Sequence, residues 1–174
     1  MFRLCVLLLL LTACKANEPA KGVLSGVVIK VLDGDSLIIR DAANQEHALR
    51  LAFIDAPEHS QAFGSESRRS LDRWAYQKTV EAAVMDTDKY QRSVVLLRVG
   101  GKDINAEQVK AGFAWHYQHF AKGKQSTEQF ALYQAAEGEA RAARRGLWQE
   151  GACKSFCVNA CGINGGRLGG HQIL

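Results

Sequence analysis

The hydrophobic and polar positions divide the chain into short alternating runs followed by longer helical ones. After an unbroken apolar run at Leu4–Leu11, Lys15–Gly22 is polar and aperiodic, and regular patterning begins near Val23. VLSGVVIKVLDGDSLIIRD reads as two β-branched and aliphatic strands separated by the turn Asp33-Gly34-Asp35. Residues 42–45 supply the next turn. From Gln45 to Ile54, Leu49, Leu51 and Phe53 alternate with Ala48, Arg50, Ala52 and Ile54, which predicts a third strand with two unlike faces. The first half is therefore expected to be a three-stranded antiparallel meander.

Beyond Pro57 a polar loop leads to a predicted helix over Ser65–Tyr76, with Leu71, Trp74 and Ala75 on one side and Arg68, Arg69, Asp72 and Arg73 in solvent. Two further strands, Thr79–Met85 and Ser93–Val99, flank the charged turn DTDKYQR. Asp103 is placed to cap a helix that Gly112 ends. Ser126 and Gln129 form a capping box ahead of a stripe of Leu132, Ala136, Ala140 and Ala143, and Gly146 stops that helix. Five short strands with about three helices predict an α+β fold, a small β-barrel of the OB type packed on helices. Trp74, Trp115 and Trp148 are expected as core anchors, and His116 and His119 as surface residues.

Composition narrows this picture only slightly. With 174 residues, 47% hydrophobic, 23% charged and two prolines, the chain is a folded domain rather than a disordered segment. Its net charge of +4 permits an anionic partner without demanding one. The first residues stand apart. MFRLCVLLLLLTAC has one early cation and an apolar run too short to span a bilayer, so residues 1–13 read as an export signal. Leu11-Thr12-Ala13-Cys14 resembles a bacterial lipobox, in which Cys14 would be lipidated and residues 14–22 would tether the domain, 23–150, to the cell envelope. Lys15 after the cysteine resembles lipoproteins sorted to the outer membrane. An ordinary secretory signal is the alternative, and either places the mature chain outside the cytoplasm.

Charge collects where strands end. Asp33 and Asp35 lie in the first turn, Arg50 with Asp55 and Glu58 at the third strand, and Arg92 at the start of the fifth. If Asp35 and Asp55 converge, they form an all-oxygen site suited to a hard cation such as Ca²⁺, completed by a backbone carbonyl and waters. Arg50 and Arg92 could then grip an oxyanion, leaving Glu58 as a base. Taken singly, each motif has a plain structural reading: a hairpin turn, a surface ion pair, a capped loop.

VLDGDSL, RLAFIDAPE, DKYQR and GLW together resemble, in order and spacing, the signatures of the staphylococcal nuclease (thermonuclease) family, over about Val23 to Gln149. The resemblance implies a five-stranded OB barrel that hydrolyses DNA and RNA with Ca²⁺. It implies Asp35, Asp55 and the carbonyl of Ala56 as metal ligands, with Asp33 in support. It further implies Glu58 as general base and Arg50 and Arg92 as transition-state cations, with the 5′-oxygen leaving and 3′-phosphate products. Lys89 and Tyr90 match residues used near a nucleotide's terminal phosphate. Ala56 stands where the best-known member has threonine, Ser36 replaces a threonine and Gln91 a glycine. The family's stacking tyrosines align with Gln118 and Phe120, so Trp115, Tyr117 or Phe120 is expected to stack on bases.

Two other classes fit parts of the pattern: a catalytically inactive OB-type module that binds nucleic acid, and a structural or partner-binding envelope lipoprotein. Cys153, Cys157 and Cys161 recur every four residues in the Gly-rich tail, 151–174. One disulfide with a leftover thiol, open to an intermolecular partner, is expected there, or a zinc site with His171; the chain is otherwise expected to be monomeric.

Overall fold

In the computed structural model, which describes residues 21–149, the chain begins with the predicted meander. Strands β1 (Gly22–Val31), β2 (Ser36–Arg40) and β3 (Glu46–Leu51) pair antiparallel in sequence order. A two-residue strand, β4 (Ile54–Asp55), follows, then helix α1 (Gly64–Ala75) and the hairpin β5 (Thr79–Thr87) and β6 (Ser93–Val99). After β7 (Lys102–Asp103) come α2 (Ile104–Lys110), β8 (Trp115–His116), the single turn α3 (Gln118–Ala121), α4 (Thr127–Ala142) and a 3₁₀ turn at Gly146–Trp148.

Barrel closure comes from one parallel pairing. β5 lies against β1 and β6 against β5, both antiparallel, while β6 runs parallel to β3 with Leu49, Arg50 and Leu51 opposite Ser93, Val94 and Val95. The five strands thus close in the order β1-β2-β3-β6-β5, which removes the sheet edges. Val28, Leu37, Ile39, Leu49, Val95 and Leu97 are wholly buried inside. Each such side chain contributes about 1.5–3 kcal/mol of hydrophobic stabilisation.

Helix α2 seals one end of the barrel and is capped as predicted, the Asp103 carboxylate accepting the Ala106 N–H at 3.0 Å. It also carries two fully buried amides, Asn105 and Gln108. Asn105 ties the helix to the barrel: its Nδ2 donates to the Ala52 and Val95 carbonyls, both at 3.0 Å, and its Oδ1 accepts the Leu97 N–H at 3.1 Å.

Several expectations change. The third strand stops at Leu51 rather than Ile54, because Phe53 adopts a left-handed φ of 64° and turns the chain. Ile54–Asp55 then pairs with Trp115–His116 in a separate small sheet. On α4 Ser126 caps the helix, but the buried stripe is Tyr133, Ala136, Glu137 and Ala140, leaving Leu132 54% exposed and Ala143 outside the core. The Tyr133 hydroxyl donating to Asp103 and the Glu137 carboxylate accepting the His116 N–H fix that rotation. His116 is accordingly buried between Phe130 and Tyr133, not at the surface. Trp74, Trp115 and Trp148 are only half-buried; Lys102 covers Trp74, and Arg141 covers Trp148. Arg68 leaves solvent to donate through Nε to the Val31 carbonyl at 3.0 Å. The signal, Cys14, residues 15–20 of the tether and the tail with its three cysteines lie outside the described residues.

Candidate active site

The turn between β1 and β2 is built by its own side chains. Asp33 Oδ1 accepts the Asp35 N–H at 3.0 Å, an Asx arrangement that points the Asp35 carboxylate inward, where the residue is 5% exposed. Gly34 is dictated by space rather than by φ. A Cβ there would collide with Ser67 Oγ on α1 and with Ala56 Cβ in the loop after β4. The turn is thereby pressed against the segment that carries Asp55, Ala56 and Glu58.

Arg50 projects from β3 directly opposite Ser36 on β2. Its guanidinium joins both acids, Nη1 contacting Asp35 Oδ2 and Nη2 donating to Asp55 Oδ1 at 2.9 Å. The Ala56 N–H donates to Asp35 Oδ2 at 2.9 Å and the Ser36 hydroxyl to Asp35 Oδ1 at 2.9 Å. Burial pushes the Asp35 carboxyl up to about 8, against the pull of Arg50 and helped by neighbouring Asp33.

Arg92 reaches the same cluster from the β5–β6 hairpin. Its Nη1 donates to Ser36 Oγ at 3.2 Å, and its Nε donates to Asp88 Oδ2 at 2.7 Å. Asp88 Oδ1 also accepts the N–H groups of Tyr90 and Arg92, each at 2.9 Å, so one carboxylate shapes the turn and aims the arginine. Gln91 pays for that shape with φ of 63°. Lys89 and Arg92 flank the Tyr90 ring at 5.0 and 5.5 Å from its centroid, and Tyr90 is 66% exposed.

Glu58 stays apart from the ion pairs. Its N–H donates to Gln61 Oε1 at 2.7 Å and its carbonyl accepts the Gln61 N–H, while its exposed carboxylate has no hydrogen bond or ion pair among the described residues. Gly64 lets α1 begin against the Glu58 carbonyl, which a Cβ would strike.

Of the expected aromatics, Trp115 faces Asp55 across the β4–β8 pair, but its ring is half-buried. Tyr117 and Phe120 are 48% and 36% exposed and stack on each other, 6.1 Å between centroids at 10°. Phe120 also borders a cavity of about 100 Å³ floored by Phe53 and Val94 and rimmed by Lys21, Lys124 and Asp86. Val94 lies beside Arg50 in the β3–β6 ladder, so the cavity is next to the charged cluster.

The chemistry of the donors is oxygen: the Asp35 and Asp55 carboxylates converge on one positive group, Arg50, beside the Ala56 backbone, and oxygen donors suit a hard cation, although among the described residues no three His, Cys, Asp or Glu side chains gather into a metal cluster. The residues missed from sequence are Ser36, Ser67, Asp88 and Gln108. Asp88, Ser67 and Gln108 stand in stretches that are already polar, so nothing in the local pattern set them apart.

A closed five-stranded barrel whose strand ends gather two carboxylates and two arginines defines a phosphodiester-hydrolase type of site. The comparisons agree. The sequence profile described as "Staphylococcal nuclease homologue" matches residues 48–150. An uncharacterized endonuclease of Haemophilus influenzae is 37% identical over 144 residues, 83% of this chain and 76% of that protein. A micrococcal nuclease of Shigella flexneri is 36% identical over 143 residues, 77% of this chain and 79% of that protein, and protein ParB of Escherichia coli is 32% identical over 142. The chain belongs to the staphylococcal nuclease family, and it is a nuclease.

Proposed function

We propose that this chain is an exported, Ca²⁺-dependent nuclease that hydrolyses DNA, RNA or both by attack of water on phosphorus. The observation that carries this reading is the single network in which Arg50 holds Asp35 and Asp55 while Arg92 joins Asp35 through Ser36. Asp35, Asp55 and the Ala56 carbonyl would hold the ion, with Asp33 fixing the turn behind them. A bound Ca²⁺ would supply Lewis-acid polarisation of the phosphate and a template for the nucleophile.

The protein's own groups do the rest. Glu58, unpaired and solvent-facing, takes the proton of the attacking water as its oxygen bonds to phosphorus. Arg50 and Arg92 exchange their present partners for non-bridging oxygens and offset charge that grows in the transition state. The bond to the 5′-oxygen breaks and that oxygen takes a proton from solvent, leaving a 3′-phosphate and a 5′-hydroxyl. Lys89 and Tyr90 lie beside Arg92 for a neighbouring phosphate, and Phe120 with Tyr117 offers stacking surface for a base next to the cavity.

The lipobox-like Leu11-Thr12-Ala13-Cys14 supports an enzyme anchored through Cys14 in the cell envelope. Cleavage of single-stranded DNA by the purified protein, with Ca²⁺ and with a chelator, followed by end-group identification, tests the reading. Calcium-dependent 3′-phosphate ends are expected. A folded protein that binds DNA without cutting it would replace the enzyme with a binding module.

A further inference from the structure

Gln108 is a fully buried amide on α2, and its chemistry is at odds with its surroundings. Its Nε2 donates to the Gly34 carbonyl at 2.8 Å and lies 3.3 Å from the Ser67 carbonyl. Two carbonyl oxygens can only be met by the NH₂ end, so the orientation of the amide is fixed by its partners. The opposite end, Oε1, is buried with no hydrogen-bond partner among the described residues. An apolar side chain of the same size would strand the Gly34 carbonyl, so the amide satisfies that one peptide while leaving its own Oε1 unpaired among the described residues.

What the amide does hold is the turn between Asp33 and Asp35. Gly34 sits between the two acids, and its lack of a Cβ lets the turn press on Ser67 and Ala56. Asn105, three residues earlier on α2, is bonded to Ala52, Val95 and Leu97 of the barrel. A continuous set of hydrogen bonds therefore runs from the barrel wall through α2 to the peptide that carries Asp35.

We propose that Gln108 is a positioning residue for the cation site: by clamping the Gly34 carbonyl to α2 it sets where the Asp35 carboxylate stands relative to Asp55, and so sets the affinity for a divalent cation. This rests on the metal reading given under Proposed function. Partners behind metal ligands typically change metal affinity about 10–100-fold when removed.

The test is calorimetric titration of Ca²⁺ into the full-length chain and its variants. Gln108→Met keeps the shape and removes the donors; its Ca²⁺ dissociation constant is expected to rise about tenfold or more. Val109→Ala on the same helix is expected to lower Tm and leave Ca²⁺ affinity unchanged, which separates positioning from stability. Asp35→Asn serves as the reference for the site itself. If the wild type binds Ca²⁺, Asp35→Asn abolishes binding and Gln108→Met binds within twofold of wild type, the inference is overturned while the metal reading stands. If the wild type gives no isotherm, both fall. A second measurement needs no variant: in wild-type protein the Gln108 carboxamide protons should exchange with solvent more slowly once Ca²⁺ is added. Equal rates with and without Ca²⁺ would also overturn the proposal.

Discussion

Arg92 Nη1 and Ser36 Oγ lie 3.2 Å apart, joining a hairpin from the second half of the chain to the first residue of β2. The same hydroxyl donates to Asp35, so Ser36 couples an arginine to a carboxylate without either touching the other. Ser36→Ala should therefore lower kcat by about 10- to 100-fold, one hydrogen bond to a charged group being worth roughly 1.5–3 kcal/mol. Ser36→Thr, which keeps the hydroxyl, should restore it. Steady-state kinetics on single-stranded DNA decides; an unchanged kcat in Ser36→Ala would mean that Asp88 alone aims Arg92.

Glu58→Gln should leave the thermal transition in place and reduce kcat by about 10²–10⁴-fold, the usual contribution of a general base. The same steady-state assay on single-stranded DNA decides; a kcat within about threefold of wild type would remove Glu58 from the role of base.

The Asp35 carboxyl couples stability to pH. Its pKa, pushed up to about 8 by burial from 3.8, means that the metal-free native state binds more protons than the unfolded chain between those values. Metal-free stability should fall as pH rises through that window, and Asp35→Asn should flatten the dependence. Ca²⁺ must displace the proton, so its affinity should increase from pH 6 to pH 8.5. Denaturant titrations with chelator, and calorimetry at the two pH values, check both statements.

Gln91 occupies a left-handed conformation, φ 63°, that costs an L-residue about 1 kcal/mol relative to glycine. Gln91→Gly should raise stability by up to about 1 kcal/mol in urea denaturation. Because Asp88 still bonds the Tyr90 and Arg92 N–H groups, activity should stay within twofold of wild type.

Cys14→Ser should move the protein from the membrane fraction to the soluble one and abolish labelling by a palmitate analogue. Labelling that persists in the variant would rule out Cys14 as the anchor.

The strand-end charges were legible because alternation and turn residues mark where strands stop, which places Asp35, Arg50 and Asp55 at strand ends; that they meet depended on the pairing of the strands, which alternation does not carry. The turn at Ala52-Phe53 was not, since the apolar alternation runs straight through it and only the left-handed Phe53 breaks the strand. The rotation of α4 was hidden for a different reason. Leu132 suits a buried stripe better than Tyr133 does by hydrophobicity, but Tyr133 has a distant partner in Asp103, and periodicity carries no information about partners thirty residues away. His116 likewise gained its burial from Phe130 and Tyr133, which lie beyond its own local segment. Asn105 and Gln108 looked like ordinary helix polarity until the barrel supplied carbonyls for them to meet.

The parallel seam between β3 and β6 also governs when the enzyme can exist. Asp35 and Arg50 are synthesised well before Arg92, and only pairing of residues 49–51 with 93–95 brings them into one cluster. Such a contact between segments far apart in sequence forms late, because the intervening chain must first be closed into a loop. A growing chain consequently carries every reactive side chain but no assembled centre. The seam acts as a built-in safety catch, withholding the nuclease until the barrel shuts.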